Sequence, residues 1–136
     1  MIPTRPLQIL STAVLGACGI VTLFAPEVFL SAISMANVVP HWPMQLLAAA
    51  WLALAMFDWM TMGFTMGGIY GRPVVMTNFT HYFVAALSSL RPALATGNAG
   101  PIGVMLIFGI FAVAYGILLF SSPTKGSGAT DSGRVS

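Results

Sequence analysis

Asp58, Asn78 and His81 are the residues of this chain whose types could do chemistry together. A carboxylate, a carboxamide and an imidazole can hold a polar ligand, share a proton or fasten helices to one another. Asp58 lies inside a long apolar run, and a lone carboxylate in hydrocarbon is costly, so it must face other protein groups. Asn78 and His81 are three residues apart and therefore share one helical face. Counted at about 1.5 Å per residue from the ends of their runs, Asp58 lies about 12 Å deep, and Asn78 and His81 about 6 and 10 Å. Thr12 and Tyr115 fall at a similar depth, with Thr61, Thr77 and Thr80 close by, and Arg72 at the mouth could reach Asp58 along its own stem. The expectation is a polar intramembrane cluster of Asp58, Asn78, His81, Arg72, Thr12 and Tyr115, with an Asp58–His81 pair at its centre.

Such a pair can titrate as a coupled unit and handle protons. The alternative is a static clasp that locks helix register, worth about 0.6–2 kcal/mol per hydrogen bond. The clasp is favoured, because a relay should continue outward and the other halves of the spans offer little beyond Gln45, Ser88 and Ser89. His81 alone is a tetrapyrrole candidate, able to ligate a haem iron or a pigment magnesium, although His41 lies at the opposite face. No cofactor is required by the sequence. A nucleophilic centre would need Cys18, or a serine, hydrogen-bonded to His81, and Cys18 lies about 18 Å from the same end and so well beyond His81. No CxxC or HExxH spacing is present, and the three acidic residues are scattered, so neither a catalytic set nor a metal site is expected.

The elements that position these residues follow from composition. The chain has 136 residues, 57% of them hydrophobic and 6% charged, with a mean hydropathy of +0.90. A water-facing surface needs about a quarter charged residues, which excludes a soluble enzyme and a disordered chain. A net charge of +2 gives no footprint for nucleic acid. A chain in lipid must satisfy its backbone internally, and strand-period alternation is absent, so the spans are helices. Each needs about 20 apolar residues.

Four runs qualify: about 7–24, 43–66, 74–90 and 101–120. Arg5-Pro6 and Ala25-Pro26-Glu27 fence the first, and His41-Trp42-Pro43 opens the second. Gly67 to Pro73 separates the second from the third, which Arg91-Pro92 ends. Gly97-Asn98-Ala99-Gly100 precedes the fourth, and Ser121-Ser122-Pro123 closes it. The fold class is thus all-α: an integral membrane four-helix bundle forming one domain over 1–120, with a polar flexible tail over 121–136. Between the first two spans, Val28, Phe29, Ala32, Ile33 and Ala36 recur at helical spacing, which reads as a short interfacial helix or as a plain connecting loop. Gly16 and Gly19 on the first span, and Gly109, Ala112 and Gly116 on the fourth, form small faces for close helix packing.

An even number of spans puts both termini on one side. That side collects Arg5, Arg72, Lys125 and Arg134 against Arg91 on the other, so both termini are expected in the cytoplasm. Leu15-Gly16-Ala17-Cys18 resembles a lipoprotein processing box, but the apolar run continues to Phe24 and would leave Cys18 inside the bilayer.

The stretch Gly67-Gly68-Ile69-Tyr70-Gly71-Arg72-Pro73, with Asn78 and His81 beyond it, resembles a pattern in small, uncharacterised four-helix bacterial inner-membrane proteins of the DoxX-like type. Phe24-Ala25-Pro26-Glu27 is similar to the same group, and the resemblance covers about Leu7 to Phe120. It implies a four-helix inner-membrane fold and carries over no functional residue. With the lipid bilayer as its solvent, the chain is expected to associate with other membrane subunits or with itself. The function expected is that of a non-catalytic accessory or scaffolding subunit; a small proton-coupled carrier and a pigment- or haem-binding subunit are the alternatives.

Overall fold

The computed structural model describes residues 4–35, 40–63 and 71–121. Among them it contains five helices and no strand: α1 (Thr4–Phe24), α2 (Pro26–Ala32), α3 (His41–Thr61), α4 (Gly71–Thr96) and α5 (Ala99–Ser121). The polar tail from 122 onward and most of the breaker-rich segment, 64–70, lie outside the described residues.

α1 carries Pro6 in its first turn, where a missing N–H costs nothing, and stops at Ala25, which precedes a proline. Gln8, Ser11, Leu15, Gly19 and Thr22 are buried and recur every three or four residues, a single stripe down the helix. The stripe faces α3. Ser11 meets Asp58 while Gly19 meets Ala48, so the two helices run antiparallel. A Cβ on Gly19 would come within 2.8 Å of Leu52 and 3.3 Å of the Ala48 carbonyl, whereas one on Gly16 would sit 4.0 Å from Ala55. Gly19 therefore sets how closely the two backbones approach.

Of the stretch read as an interfacial helix or a loop, α2 is the helical part, with Pro26 at its start and Leu30 fully buried beneath it. It ends in a Schellman turn: Ser34 adopts φ +62°, Ser34 N–H bonds to Ser31 O (3.0 Å) and Met35 N–H to Leu30 O (2.7 Å). Its last turn lies so close to Gly100 that no Cβ would fit there beside the Ala32 carbonyl. α2 thus covers the end of the bundle remote from Thr4 and Thr61, called here the far end.

α4 and α5 form the second antiparallel pair, with Phe79 against Gly116 and Tyr82 against Phe111. α4 is longer than the run 74–90 read as the third span, and Arg91-Pro92, read as its stop, lies inside the helix. Pro92 is tolerated because it removes one internal donor only, the one that would serve the Ser88 carbonyl. The helix ends instead at Gly97, whose φ of +62° suits glycine and whose N–H bonds to Ala93 O at 3.1 Å. Likewise α3 begins at His41 rather than Pro43, and α5 at Ala99 rather than Pro101.

Three of these helices are long and apolar enough to cross a membrane: α1 from Arg5, α3 and α5. Their outward faces carry Phe24, Met60 and Phe120 at 80%, 73% and 82% exposure. In water each such side chain would forfeit about 1.5–3 kcal/mol of burial. The two pairs meet through Leu15, Trp51, Tyr82, Phe108, Phe111 and Tyr115. Tyr82 stacks on Phe111 (4.7 Å) and Tyr115 (5.9 Å), and Trp51 meets Phe108 edge-on at 6.4 Å.

Candidate functional site

The buried residues of α3 are Ala48, Trp51, Ala55, Asp58 and Thr61, a stripe at helical spacing. Met56, Trp59 and Met60 occupy the opposite, exposed side. Asp58 therefore inherits an inward direction from its helix, and its exposure is 0%.

Each carboxylate oxygen receives one hydrogen bond from a different helix. Asn78 of α4 donates its amide to Oδ1 at 2.5 Å and, with its second hydrogen, to its own helix at Val74 O, 3.1 Å. Ser11 of α1 donates to Oδ2 at 2.7 Å. The Ser11 hydroxyl also lies 2.7 Å from the Tyr82 hydroxyl. Serine has one hydrogen, already directed at Asp58, so Tyr82 must donate to Ser11. The result is a directed line, Tyr82 to Ser11 to Asp58, with Asn78 closing the other oxygen. Thr61, one turn on, bonds back to the Phe57 and Asp58 carbonyls of its own helix at 2.8 and 3.2 Å. Helices α1, α3 and α4 are tied at one point by neutral donors, and no cation pairs with Asp58 among the described residues.

The expected cluster is thus assembled in part. Asp58 and Asn78 meet, but the Asp58–His81 pair read from the sequence does not form. The reason is angular. At about 100° per residue, Tyr82 lies about 40° to one side of Asn78 around the helix and His81 about 60° to the other. The Asn78 amide reaches Asp58 of α3 and the Tyr82 hydroxyl reaches Ser11 of α1, while the His81 ring turns away from that node and meets Phe108 of α5 edge-on at 6.1 Å. Its Nε2 is buried with no partner. Thr12 does not join either: its hydroxyl is buried and unpartnered, while its neighbour Ser11 makes the bonds. Tyr115 contributes its ring to the Tyr82 stack, and its hydroxyl has no partner. Arg72 is exposed and makes no bond to Asp58, because it stands on the outer side of the first turn of α4. Among the small residues, Gly16, Gly19, Ala112 and Gly116 pack against neighbours, but nothing lies within 4 Å of where a side chain on Gly109 would begin.

Ser11 and Tyr82 were missed by reading depth alone. A signal for Ser11 exists in the chain, since Gln8, Ser11, Gly19 and Thr22 place the polar and small residues of α1 on one stripe. Tyr82 carries the matching signal, standing four residues after Asn78.

His81 lies on the wall of a second feature. Toward the far end, α2, α3, α4 and α5 line a half-open apolar pocket of about 350 Å³, whose walls include Phe29, Met44, Trp51, His81, Ser88 and Phe108. No group of three or more His, Cys, Asp or Glu able to hold a metal occurs among the described residues. No protein-family model, no curated protein and no solved structure matches this chain.

Proposed function

We propose that the chain is a four-span integral membrane protein without catalytic activity that serves as an accessory or scaffolding subunit of a larger membrane complex. α4 is the fourth span of this reading. It is 26 residues long, and Arg72 and Arg91, both exposed, stand about 28 Å apart along it, close to the thickness of the hydrocarbon layer. Between them Phe83, Val84 and Leu87 face outward. Part of the lower hydropathy of α4 comes from Asn78, which Asp58 of α3 engages. Arg5 and Arg72 at one end, with Lys125 and Arg134 in sequence beyond α5, favour cytoplasmic termini and a bacterial inner membrane; Trp42, 65% exposed at the other end, suits the opposite interface. The DoxX-like resemblance implies the same arrangement.

The observation that carries the accessory role is Gly109. It stands open in an apolar groove of about 570 Å³ between α4 and α5, walled by Phe83, Leu87, Leu90, Leu106 and Val113. Lipid supplies no hydrophobic drive, so small residues in such a groove serve the close approach of another transmembrane helix. Extraction of native membranes in mild detergent should yield the protein with stoichiometric partners or as an oligomer. Gly109→Leu should strip those partners while leaving the unfolding midpoint unchanged. A wild-type protein that runs alone and monomeric would end this reading.

A proton-coupled carrier is the second reading, and the directed line from Tyr82 through Ser11 to Asp58 favours it. It expects pH-dependent flux in liposomes that Asp58→Asn abolishes without loss of fold; equal flux in both proteins would end it. The haem or pigment reading through His81 is checked by the visible absorption spectrum of protein purified from its native membrane.

A further inference from the structure

His81 has no hydrogen-bond partner among the described residues. An imidazole always carries at least one N–H donor, yet no described residue hydrogen-bonds either ring nitrogen. Acyl chains cannot serve it. The ring meets the Tyr82 and Phe108 rings edge-on and forms part of the wall of the far-end pocket. Its χ2 torsion is broad and two-fold, so a half turn of the ring exchanges nitrogen and carbon positions at that wall.

The same wall continues along α4 through Ala85, Ser88, Ser89 and Pro92, spaced three or four apart. The Ser89 hydroxyl is spent on Ala85 O at 2.8 Å. Pro92 has no N–H, so the Ser88 carbonyl loses the donor an unbroken helix would give it. The wall therefore offers two polar groups lacking their usual partners, about 10 Å apart along the helix, in an otherwise apolar chamber. Across from them, the Phe29 and Trp51 rings meet edge-on at 5.4 Å and Trp51 meets Phe108 at 6.4 Å, presenting ring surfaces suited to a flat molecule. A pocket of about 350 Å³ lies in the range of small-molecule sites, which combine apolar walls with a few placed polar groups.

We propose that this pocket binds a flat, lipid-soluble ring compound carrying a hydrogen-bonding oxygen, with His81 as its polar anchor. Acyl chains of the bilayer are the competing occupant, and they would show no dependence on the imidazole. The site is independent of the accessory role, since it gives the chain a ligand whether or not it has partner subunits.

The test uses full-length protein in dodecylmaltoside with Trp42→Phe and Trp59→Phe, leaving Trp51 in the pocket wall as the sole fluorophore. Two quenchers are titrated: 6-bromo-2-naphthol, and 2-bromonaphthalene, which lacks the oxygen. The proposal expects saturable quenching by the naphthol, its loss in Ala85→Phe, and about tenfold weaker naphthol binding in His81→Phe with 2-bromonaphthalene unchanged. Should Ala85→Phe fail to fold, Ser88→Phe, on the exposed part of the same wall, makes the same test. Quenching that rises linearly for both compounds and ignores both pocket substitutions means acyl-like partition and overturns the proposal. Equal weakening of both compounds by His81→Phe also overturns it, because the ring would then be filler.

Discussion

Two polar regions lie on the same stretch of α4, one turned toward α1 and α3 and the other toward the far-end pocket. The first is closed around the carboxylate: Asp58 has a donor on each oxygen, those donors come from two other helices, and Tyr82 and Ser11 are bonded in line with it, while the Asn78 Oδ1 is left without a partner among the described residues. The second is open: His81 stands beside empty volume, and its Nε2 is unsatisfied. Tyr82 and His81 are adjacent in sequence, and one residue of helical rotation separates a group that holds the bundle together from one that holds nothing in it. A closed polar group contributes to stability, and removing one partner strands the others. An open one has little to lose in the fold and is free for a ligand.

The sharpest way to break this contrast is Asp58→Leu. It strands the Ser11 hydroxyl and the Asn78 amide together, and a loss of about 3 kcal/mol or more is expected in detergent unfolding. A near-neutral result would mean that the node is not what ties the helices. Gly19→Leu comes next, since its side chain has no room against Leu52 and the Ala48 carbonyl. About 1–3 kcal/mol should be lost, while Gly16→Ala stays within about 0.5 kcal/mol. Adjacent residues on α1 give a finer comparison: Ser11→Ala should lower stability by about 1–2 kcal/mol, and Thr12→Ala by less than about 0.5 kcal/mol. Equal effects would show that depth, not helix face, governs the node. Tyr82→Phe should cost about 1 kcal/mol through the Ser11 bond alone, because the ring and its stack on Phe111 remain. The smallest effect is expected at His81→Phe, whose unfolding midpoint should match the wild type; a clear loss would mean that the imidazole has a partner in the fold after all.

The helices themselves were largely legible. Apolar runs of about 20 residues fenced by Pro, Gly and Arg mark α1 and α5 closely, and mark α3 except that the helix ends at Thr61 and not at the Met66 read as its end. The breakers misled at α4. Arg91-Pro92 looks like a stop, yet a helix that packs along α5 absorbs one lost hydrogen bond and runs on to Gly97. The small residues divided similarly, Gly19 being pressed against α3 and Gly109 open to its surroundings, although both read as packing positions.

By itself the sequence determined that this chain is helical, with runs long and apolar enough to cross a membrane, and that Asp58, as an acid in an apolar run, faces the bundle near the depth of Asn78. Those conclusions rest on composition and on distance along an axis, which the rise per residue sets almost without regard to neighbours. Rotation about that axis is another matter, because it depends on which stripes of other helices come into contact. The tertiary structure alone decided that Ser11 rather than Thr12, and Tyr82 rather than His81, would meet the carboxylate. It also left the imidazole in the wall of a pocket that exists only once four helices have assembled around it.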